Sequence, residues 1–205
     1  MTSRLSQYIS IAFHPLLMPF YAMTILFNAR SYLTYSLAPE VKKIILFIVF
    51  ITCFVMPVLI TLYLLQKGLI RSLEMSERKE RRIPFLAAIL MYVCCYFLLR
   101  QLPAPDLIPA IVISGAVIIA VAFAVNLRWK ISIHMIGLGG LAGIIFISGD
   151  RILTDVSIYF IIVLLISGIT GWARLSREAH SSMQIYAGFI AGFIASALTL
   201  NSILQ

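Results

Sequence analysis

The run IILFIVFITCFVMPVLITLYLL, residues Ile44–Leu65, decides the fold. It contains no charged side chain, and a helix of about 20 such residues covers the roughly 30 Å hydrocarbon core of a bilayer. A helix also satisfies its own backbone hydrogen-bonding groups, which lipid cannot do. The run therefore predicts a helix that crosses a membrane.

Similar apolar runs fill most of the remaining chain. Of the 205 residues, 61% are apolar and only 12% are charged, whereas soluble domains carry about 25% charged residues. A soluble fold of this size has too little interior to hide that much apolar surface. The alternation expected of barrel strands is absent. We predict an all-α, polytopic transmembrane helix bundle with about six or seven spanning helices, forming one integral membrane domain over residues 1–205.

Charged residues cluster in short breaks, and these breaks separate the predicted spans. The third and fifth runs are short, so each either begins earlier, in the preceding polar loop, or is tilted or partly re-entrant. The predicted spans are Ile9–Asn28, Ile44–Leu65, Pro84–Leu99, Leu107–Val125, Ile133–Ile147, Leu153–Gly171 and Met183–Ile203.

Small residues within the spans predict where helices touch. Gly139 and Gly143 are four residues apart, as are Gly188 and Gly192, and this spacing lets two helix backbones approach closely. Three prolines lie within spans and are expected to bend them: Pro15, Pro19 and Pro57. The cysteines lie in apolar runs and are interpreted as small buried hydrophobes rather than disulfides or metal ligands: Cys53, Cys94 and Cys95.

Three polar loops share one side of the membrane. Each crossing reverses sides, so the loops after spans two, four and six emerge together. His134 belongs to the second of these loops and His180 to the third, and we call this side the histidine face. His14 lies inside the first span, where we expect a packed, hydrogen-bonded role. The histidine face also carries most of the basic residues, including Lys67, Arg71, Arg78, Lys79, Arg81, Arg82, Arg128, Lys130, Arg174 and Arg177.

Two interpretations of the histidine face are open. Arginine binds phosphate through paired donors and lysine as a point charge, while imidazole serves as nucleophile or acid near neutral pH. The alternative is a basic loop face with incidental histidines. The net charge of +8 suits contact with lipid phosphates, and no nucleic-acid-binding motif is present. The expected partners are therefore the bilayer and a lipid phosphate, with no nucleic acid.

The segment from Ala173 to Gln184 carries the clearest resemblance to a known family. It resembles the third signature of the type 2 phosphatidic acid phosphatase superfamily, which includes the vanadium haloperoxidases. That signature is Ser-Arg, five residues, His, three residues, Asp. Arg174 and His180 keep the spacing, whereas Ala173 replaces the Ser and Gln184 replaces the Asp.

Two further segments resemble the family's other signatures. Ile131-Ser132-Ile133-His134 keeps the Ser and His of Pro-Ser-Gly-His, and it looks similar to a divergent bacterial branch with a Trp-Lys-Ile-Ser-x-His motif. The first signature is Lys, six residues, Arg, Pro. The segment from Arg78 to Pro84 keeps its basic-then-Pro character but not its register. The resemblance places a phosphatase-like core at about residues 78–192.

The resemblance implies a metal-independent phosphoryl transfer that needs no cofactor. His180 would attack phosphorus to form a phosphohistidine, and His134 would protonate the leaving oxygen. Arg174 and Ser132 match phosphate-contacting positions, and the first-signature candidates are Arg78, Arg81 and Arg82. We add Lys130 as a hypothetical substitute for the missing first-signature Lys, one turn before His134 if the helix begins there. The alternative for Lys130 is a membrane-interface lysine beside Trp129.

Gln184 is the main departure from the family pattern. The family's Asp orients the nucleophilic His and stabilises its positive charge. The Gln184 carbonyl can accept a hydrogen bond from the ring but supplies no charge. In serine proteases, loss of the comparable charge lowers the rate by about four orders of magnitude. The chain is accordingly expected to be a slow enzyme, an enzyme of altered chemistry, or an inactive relative.

Two functions follow from these residues. The first is a membrane lipid phosphatase or lipid-diphosphate phosphatase in a bacterial cytoplasmic membrane. The second is a non-catalytic membrane protein that binds or moves an anionic lipid. The positive-inside rule would place the histidine face in the cytoplasm, whereas the family resemblance favours an outward-facing site, which is the orientation we predict. The identity of the lipid and the oligomeric state are open.

Overall fold

The protein is a multi-pass helical membrane protein. The structure is a computed structural model that describes residues 2–31, 35–73, 75 and 77–205, without the side chains of Thr2 and Ser3. The described residues contain no strand and include seven helices long and apolar enough to cross a bilayer. The predicted all-α bundle is confirmed. The seven spans are Arg4–Asn28, Pro39–Gln66, Arg78–Leu99, Leu107–Asn126, Ile133–Ile152, Ser157–Ser176 and Ser182–Ile203.

The spans are built from α-helices with short turns of other geometry. Turns of 3₁₀ helix cover Pro15–Leu17 and Arg78–Arg81, and a π-helical turn covers Ile51–Val55. The α-helices are α1 Thr2–Ala12, α2 Met18–Asn28, α3 Pro39–Phe50, α4 Met56–Gln66, α5 Arg82–Leu99, α6 Leu107–Asn126, α7 Ile133–Ile152, α8 Ser157–Ser176 and α9 Ser182–Ile203.

The two short predicted spans are full crossings. The third begins in its polar loop, at Arg78. The fifth extends past Ile147 to Ile152, where Leu153 takes a left-handed conformation (φ 50°) and ends the helix. The sixth span lies further along the chain than predicted. Its helix α8 runs through Ser176, so Arg174 lies on the last turn of a helix rather than in a loop.

Prolines interrupt the first two spans. His14 has an extended backbone (φ −64°, ψ 133°) that separates α1 from the turn beginning at Pro15, because a residue before proline is pushed out of the helical region. Pro57 has no N–H to donate, and the π-helical turn ends two residues before it, at Val55. Pro19 lies in the first turn of α2, where a missing N–H is tolerated, so it marks no separate bend.

Helix α7 is the centre of the bundle. In its most apolar 18-residue stretch, 67% of the residues are buried inside the protein, a larger share than in any other candidate span. A Cβ added at Gly139 would lie 2.0 Å from the Phe189 carbonyl oxygen, and one at Gly192 would lie 2.0 Å from the Ile136 carbonyl oxygen. No side chain fits at either contact. The predicted close approach of these glycine-rich helices, α7 and α9, is therefore confirmed.

The outer surface of the bundle is apolar. Large side chains such as Leu165, Ile190 and Leu198 are exposed, as expected of helices that contact lipid tails. The cysteines are free thiols. Cys53 and Cys95 are buried as predicted, whereas Cys94 faces outward from α5.

Candidate active site

Contacts between loops confirm that the histidine face is a single surface. The Arg78 guanidinium donates to the Arg128 carbonyl, and this bond joins the loop after span two to the loop after span four. The Asn126 amide donates to the Arg78 carbonyl at 2.9 Å. On the opposite face, Thr154 Oγ1 donates to the Arg30 carbonyl at 2.9 Å. The alternation counted from the sequence is therefore present in the fold.

Of the three first-signature arginines, the structure turns only Arg81 into the bundle. Its side chain is 4% exposed. Its Nε donates to the Met75 carbonyl at 2.9 Å and its Nη1 to the Ile131 carbonyl at 3.4 Å. Arg78 and Arg82 are exposed. Arg78 joins the loops, whereas Arg82 makes no side-chain hydrogen bond or ion pair among the described residues, so the structure does not bring Arg82 into the cluster.

Ser132 precedes α7 as its N-cap residue and is fully buried. Its Oγ makes no capping bond and has no hydrogen-bond partner among the described residues. A buried hydroxyl left unpaired destabilises a fold by about 1–3 kcal/mol. An unpaired donor at this position suits a residue that contacts a ligand oxygen.

His134 and Arg174 meet at one residue, Ser10 of α1. His134 Nε2 lies 3.0 Å from the Ser10 carbonyl oxygen. A carbonyl only accepts, so Nε2 carries the proton of this bond. Arg174 Nη1 donates to Ser10 Oγ at 3.4 Å. Two separately predicted site residues are thus brought together around a serine that sequence analysis did not single out.

His180 and Gln184 are joined by the cap of α9. Ser181 Oγ accepts from the Gln184 backbone N–H, and Gln184 Oε1 accepts from the Ser181 backbone N–H at 3.2 Å, which is a capping box. The same Oε1 lies 3.0 Å from His180 Nδ1. The predicted contact between the His180 ring and the Gln184 carbonyl is present. It joins a residue before α9 to a residue in its first turn, because His180 precedes the helix.

The capping box fixes the tautomer of His180. The Ser181 N–H requires an acceptor, so the Gln184 atom facing it is the carbonyl oxygen. His180 Nδ1 must then donate to that oxygen. The lone pair of the neutral ring is left on Nε2, which is the nitrogen required of a nucleophile.

The surroundings of His180 keep it neutral. Its side chain is 8% exposed. Burial, together with the charges of Arg174, Arg81 and Lys130, lowers the pKa of His180 to about 4, against an opposing contribution from the Gln184 bond. His180 is therefore an unprotonated imidazole at neutral pH. Glu178 in the same loop is exposed, with a left-handed backbone (φ 52°).

Lys130 joins this cluster from a loop. The helix begins at Ile133, so the proposed one-turn relation between Lys130 and His134 is wrong. Lys130 is half-buried, and desolvation plus the charges of Arg81 and Arg174 lower its pKa. It lines a surface cleft of about 510 Å³ together with Glu77, Arg78, Lys79, Arg128, Trp129 and Gln184.

His14 has the packed role expected for it. Its Nδ1 accepts a hydrogen bond from the Leu16 backbone N–H at 3.3 Å. Its ring lies edge-on to His134, with 5.9 Å between centroids, and also contacts Phe54. His14 therefore supports the broken first span and packs beside the site.

The sequence did not predict two residues that contact the candidate site or its loops, Ser10 and Asn126. Each is a polar residue near one end of an apolar run, and both are buried. Polar side chains buried at membrane depth are unusual unless they have partners. Their position in an apolar run is the feature by which the sequence could have indicated them, and it does not identify the residues that they contact.

Comparisons with known proteins leave the family open. No family model, curated protein or solved structure matches this chain. Among the residues that the structure describes, no group of three or more His, Cys, Asp or Glu side chains is placed to hold a metal ion. The resemblance to the phosphatidic acid phosphatase superfamily stays a prediction from the motifs.

Proposed function

We propose that this protein is a membrane lipid phosphatase that works through a phosphohistidine on His180. One observation carries the proposal: a buried, neutral imidazole has its Nδ1 committed to Gln184 and lies within the field of Arg81, Lys130 and Arg174. Cations that crowd together in a poorly hydrated site repel one another and favour an anionic ligand. A phosphate group with two negative charges meets that requirement.

The proposed reaction has two steps. His180 Nε2 attacks phosphorus, the N–P bond forms, and the bond from phosphorus to the lipid oxygen breaks as the protonated, imidazolium form of His134 gives that oxygen a proton and becomes neutral. Water then attacks phosphorus, the N–P bond breaks, and His134 takes the proton from water. Arg174, Arg81 and the Ser132 hydroxyl would stabilise the equatorial oxygens in both transition states.

The position of the site supports a lipid substrate. The cluster lies at the ends of apolar spans, so a phosphate held there is at the depth of lipid headgroups. We propose a lipid phosphate or diphosphate as the substrate, a bacterial cytoplasmic membrane as the location, and an outward-facing site.

One observation favours a second candidate, a protein that binds an anionic lipid without hydrolysing it. Gln184 is neutral, so it stabilises a positively charged His180 less than a carboxylate would. The basic cluster would then bind a lipid phosphate, and the first step would be too slow to matter.

Phosphate release decides between the two. The purified protein in detergent would be supplied with mixed lipid phosphates and a metal chelator. We expect release that falls to background in His180→Ala and is retained in Met183→Ala, an exposed neighbour in the first turn of α9. Rapid quenching of the wild type should also trap acid-labile phosphate on the His180 peptide. Equal background from all three proteins would refute the enzyme and favour the binding protein.

A further inference from the structure

Ser10 presents two oxygen acceptors to the residues expected to contact phosphate. Its carbonyl accepts from His134 Nε2 at 3.0 Å, where the leaving oxygen of a substrate would need a proton. Its hydroxyl accepts from Arg174 Nη1 at 3.4 Å, where a phosphate oxygen would bind. A lipid phosphate that enters the site must replace both acceptors.

The helix that carries Ser10 is a separate arm of the first span. Helix α1 packs mainly against α8. Its polar side faces inward through Ser6 and Ser10, both buried, while Leu5, Tyr8 and Ile11 are exposed. The Ser10 hydroxyl also donates to the Ser6 carbonyl at 2.8 Å. The inner contact of this arm is therefore polar and depends on the same residues as the site.

The C-terminal end of α1 is held against the bundle. The extended backbone of His14 ends α1, and Pro15 packs so closely on α7 that a Cβ at Gly137 would lie 3.1 Å from its Cβ. Tyr21 Oη donates to the Ala12 carbonyl at 2.6 Å. The break is thus anchored to the bundle, whereas the residues before it are held through α8 and the site.

We propose that α1 is a movable wall of the site and that Ser10 is an internal ligand which the lipid phosphate displaces. The inference rests on the proposed function in taking phosphate as the ligand of His134 and Arg174. In the closed state Ser10 satisfies both donors. On binding, phosphate oxygens take over these donors, and α1 swings outward about the His14–Pro15 break. The tail of the bound lipid then extends sideways from the site into the bilayer.

Binding of inorganic phosphate to Ser10→Ala tests the displaced ligand. The variant keeps the carbonyl but loses the hydroxyl that competes for Arg174. One hydrogen bond contributes about 0.5–1.5 kcal/mol net, so phosphate should bind about two- to tenfold more tightly. Ser202→Ala is the matched control, since it removes an exposed hydroxyl bonded to the carbonyl four residues earlier, at the far end of α9. Isothermal titration in detergent measures both. Weaker or unchanged binding to Ser10→Ala would overturn the proposal.

Spin labels test the movement. Tyr8 and Leu175 are exposed on α1 and α8, and cysteines placed there in a Cys94→Ser background leave only the buried Cys53 and Cys95. Inorganic phosphate should shift the label-to-label distances to longer values, and Arg174→Ala should abolish the shift. A distance distribution unchanged at saturating phosphate would overturn the wall.

The two proposals fail in different ways. A phosphate-dependent shift in a protein whose phosphate release equals that of His180→Ala would leave the wall in place and refute the enzyme. Phosphate release that depends on His180, without any phosphate-dependent change in the distance between the spin labels, would support the enzyme and refute the movable wall. Absence of phosphate binding to the wild type, at millimolar phosphate, would refute the displaced ligand, and phosphate release would still decide the enzyme.

Discussion

The two ends of the helix bundle differ in whether any of their cations is buried. On the opposite face, Arg100 pairs with Asp106 at 3.2 Å, and both side chains are more than half exposed. Arg151 donates to Asn201 Oδ1 and to the Leu204 carbonyl, and its side chain is also exposed. Charges of this kind are solvated at the membrane surface and contribute little to stability.

On the histidine face, many basic side chains are also exposed, but three cations of the candidate site are withdrawn from solvent. Arg81 is buried, while Arg174 and Lys130 are half-buried. The nearby carboxylate of Glu77 is bonded to Arg71, on the exposed part of the loop. Burying like charges together is unfavourable unless something compensates for it. The comparison teaches that position relative to the bundle, rather than the number of basic residues, separates a candidate anion site from an ordinary basic surface.

The largest expected effect comes from removing one inward-facing arginine. Arg174→Ala should lower kcat/KM for lipid phosphate by about 10²- to 10³-fold, the usual effect of deleting one donor to a developing oxyanion. Arg151→Ala on the opposite face should change it by less than about twofold. Equal effects of the two variants, measured by phosphate release, would show that the ends do not differ in function.

A glycine substitution should affect both ends together. Gly192→Ala places a Cβ 2.0 Å from the Ile136 carbonyl oxygen, so α7 and α9 must separate. Overpacking of this kind typically destabilises a fold by about 1–3 kcal/mol. Gly168→Ala is the control, because nothing lies within 4 Å of its added Cβ. Thermal unfolding in detergent should show a lowered midpoint for Gly192→Ala alone. An unchanged midpoint would contradict the rigid crossing on which both ends are built.

A negative charge introduced beside His180 should sharpen the difference between the two ends. Gln184→Glu keeps side-chain length and the capping box but places a carboxylate on His180 Nδ1. An adjacent opposite charge commonly raises a histidine pKa by one unit or more and would stabilise the positively charged phosphohistidine. We expect phosphate release to increase about tenfold. The rate and its pH profile measure this, and a shifted profile without a faster rate would show that charge at this position does not limit the reaction.

The sequence predicted the crossings and the grouping of the loops because both depend on local hydropathy and on counting reversals. It predicted some span ends to the residue, such as Leu107 and Ile133, but missed others by about a turn. Arg174, predicted in a loop, therefore lies on the last turn of α8, whereas Lys130 stays in the loop predicted for it and lacks the one-turn relation to His134. It also gave no indication that Ser10 meets His134 and Arg174, because contacts between distant spans depend on how the helices rotate and break. The break at His14 sets that geometry through packing that a single sequence does not encode locally.

The smallest expected effect is on stability against pH, and it separates the two ends by pH window. The pKa of His180 is lowered to about 4 from its ordinary 6.5 by burial and neighbouring cations. The unfolded chain therefore binds more protons than the folded protein between these values. The stability from neutral His180 is fully present above pH 6.5 and is lost as pH falls through 4. His180→Gln should flatten this part of the profile.

Asp155 supplies the matching test on the opposite face. Hydrogen bonds from Ser157 lower its pKa below the ordinary 3.8. Its contribution is present above pH 3.8 and is lost only as pH falls further, so Asp155→Asn should alter the profile below 3.8 and leave the window between 4 and 6.5 unchanged. Thermal midpoints in detergent across pH 3–8 distinguish the two variants. If His180→Gln leaves the upper window unchanged, His180 is solvated like the charges of the opposite face, and the asymmetry between the two ends does not extend to the proposed nucleophile.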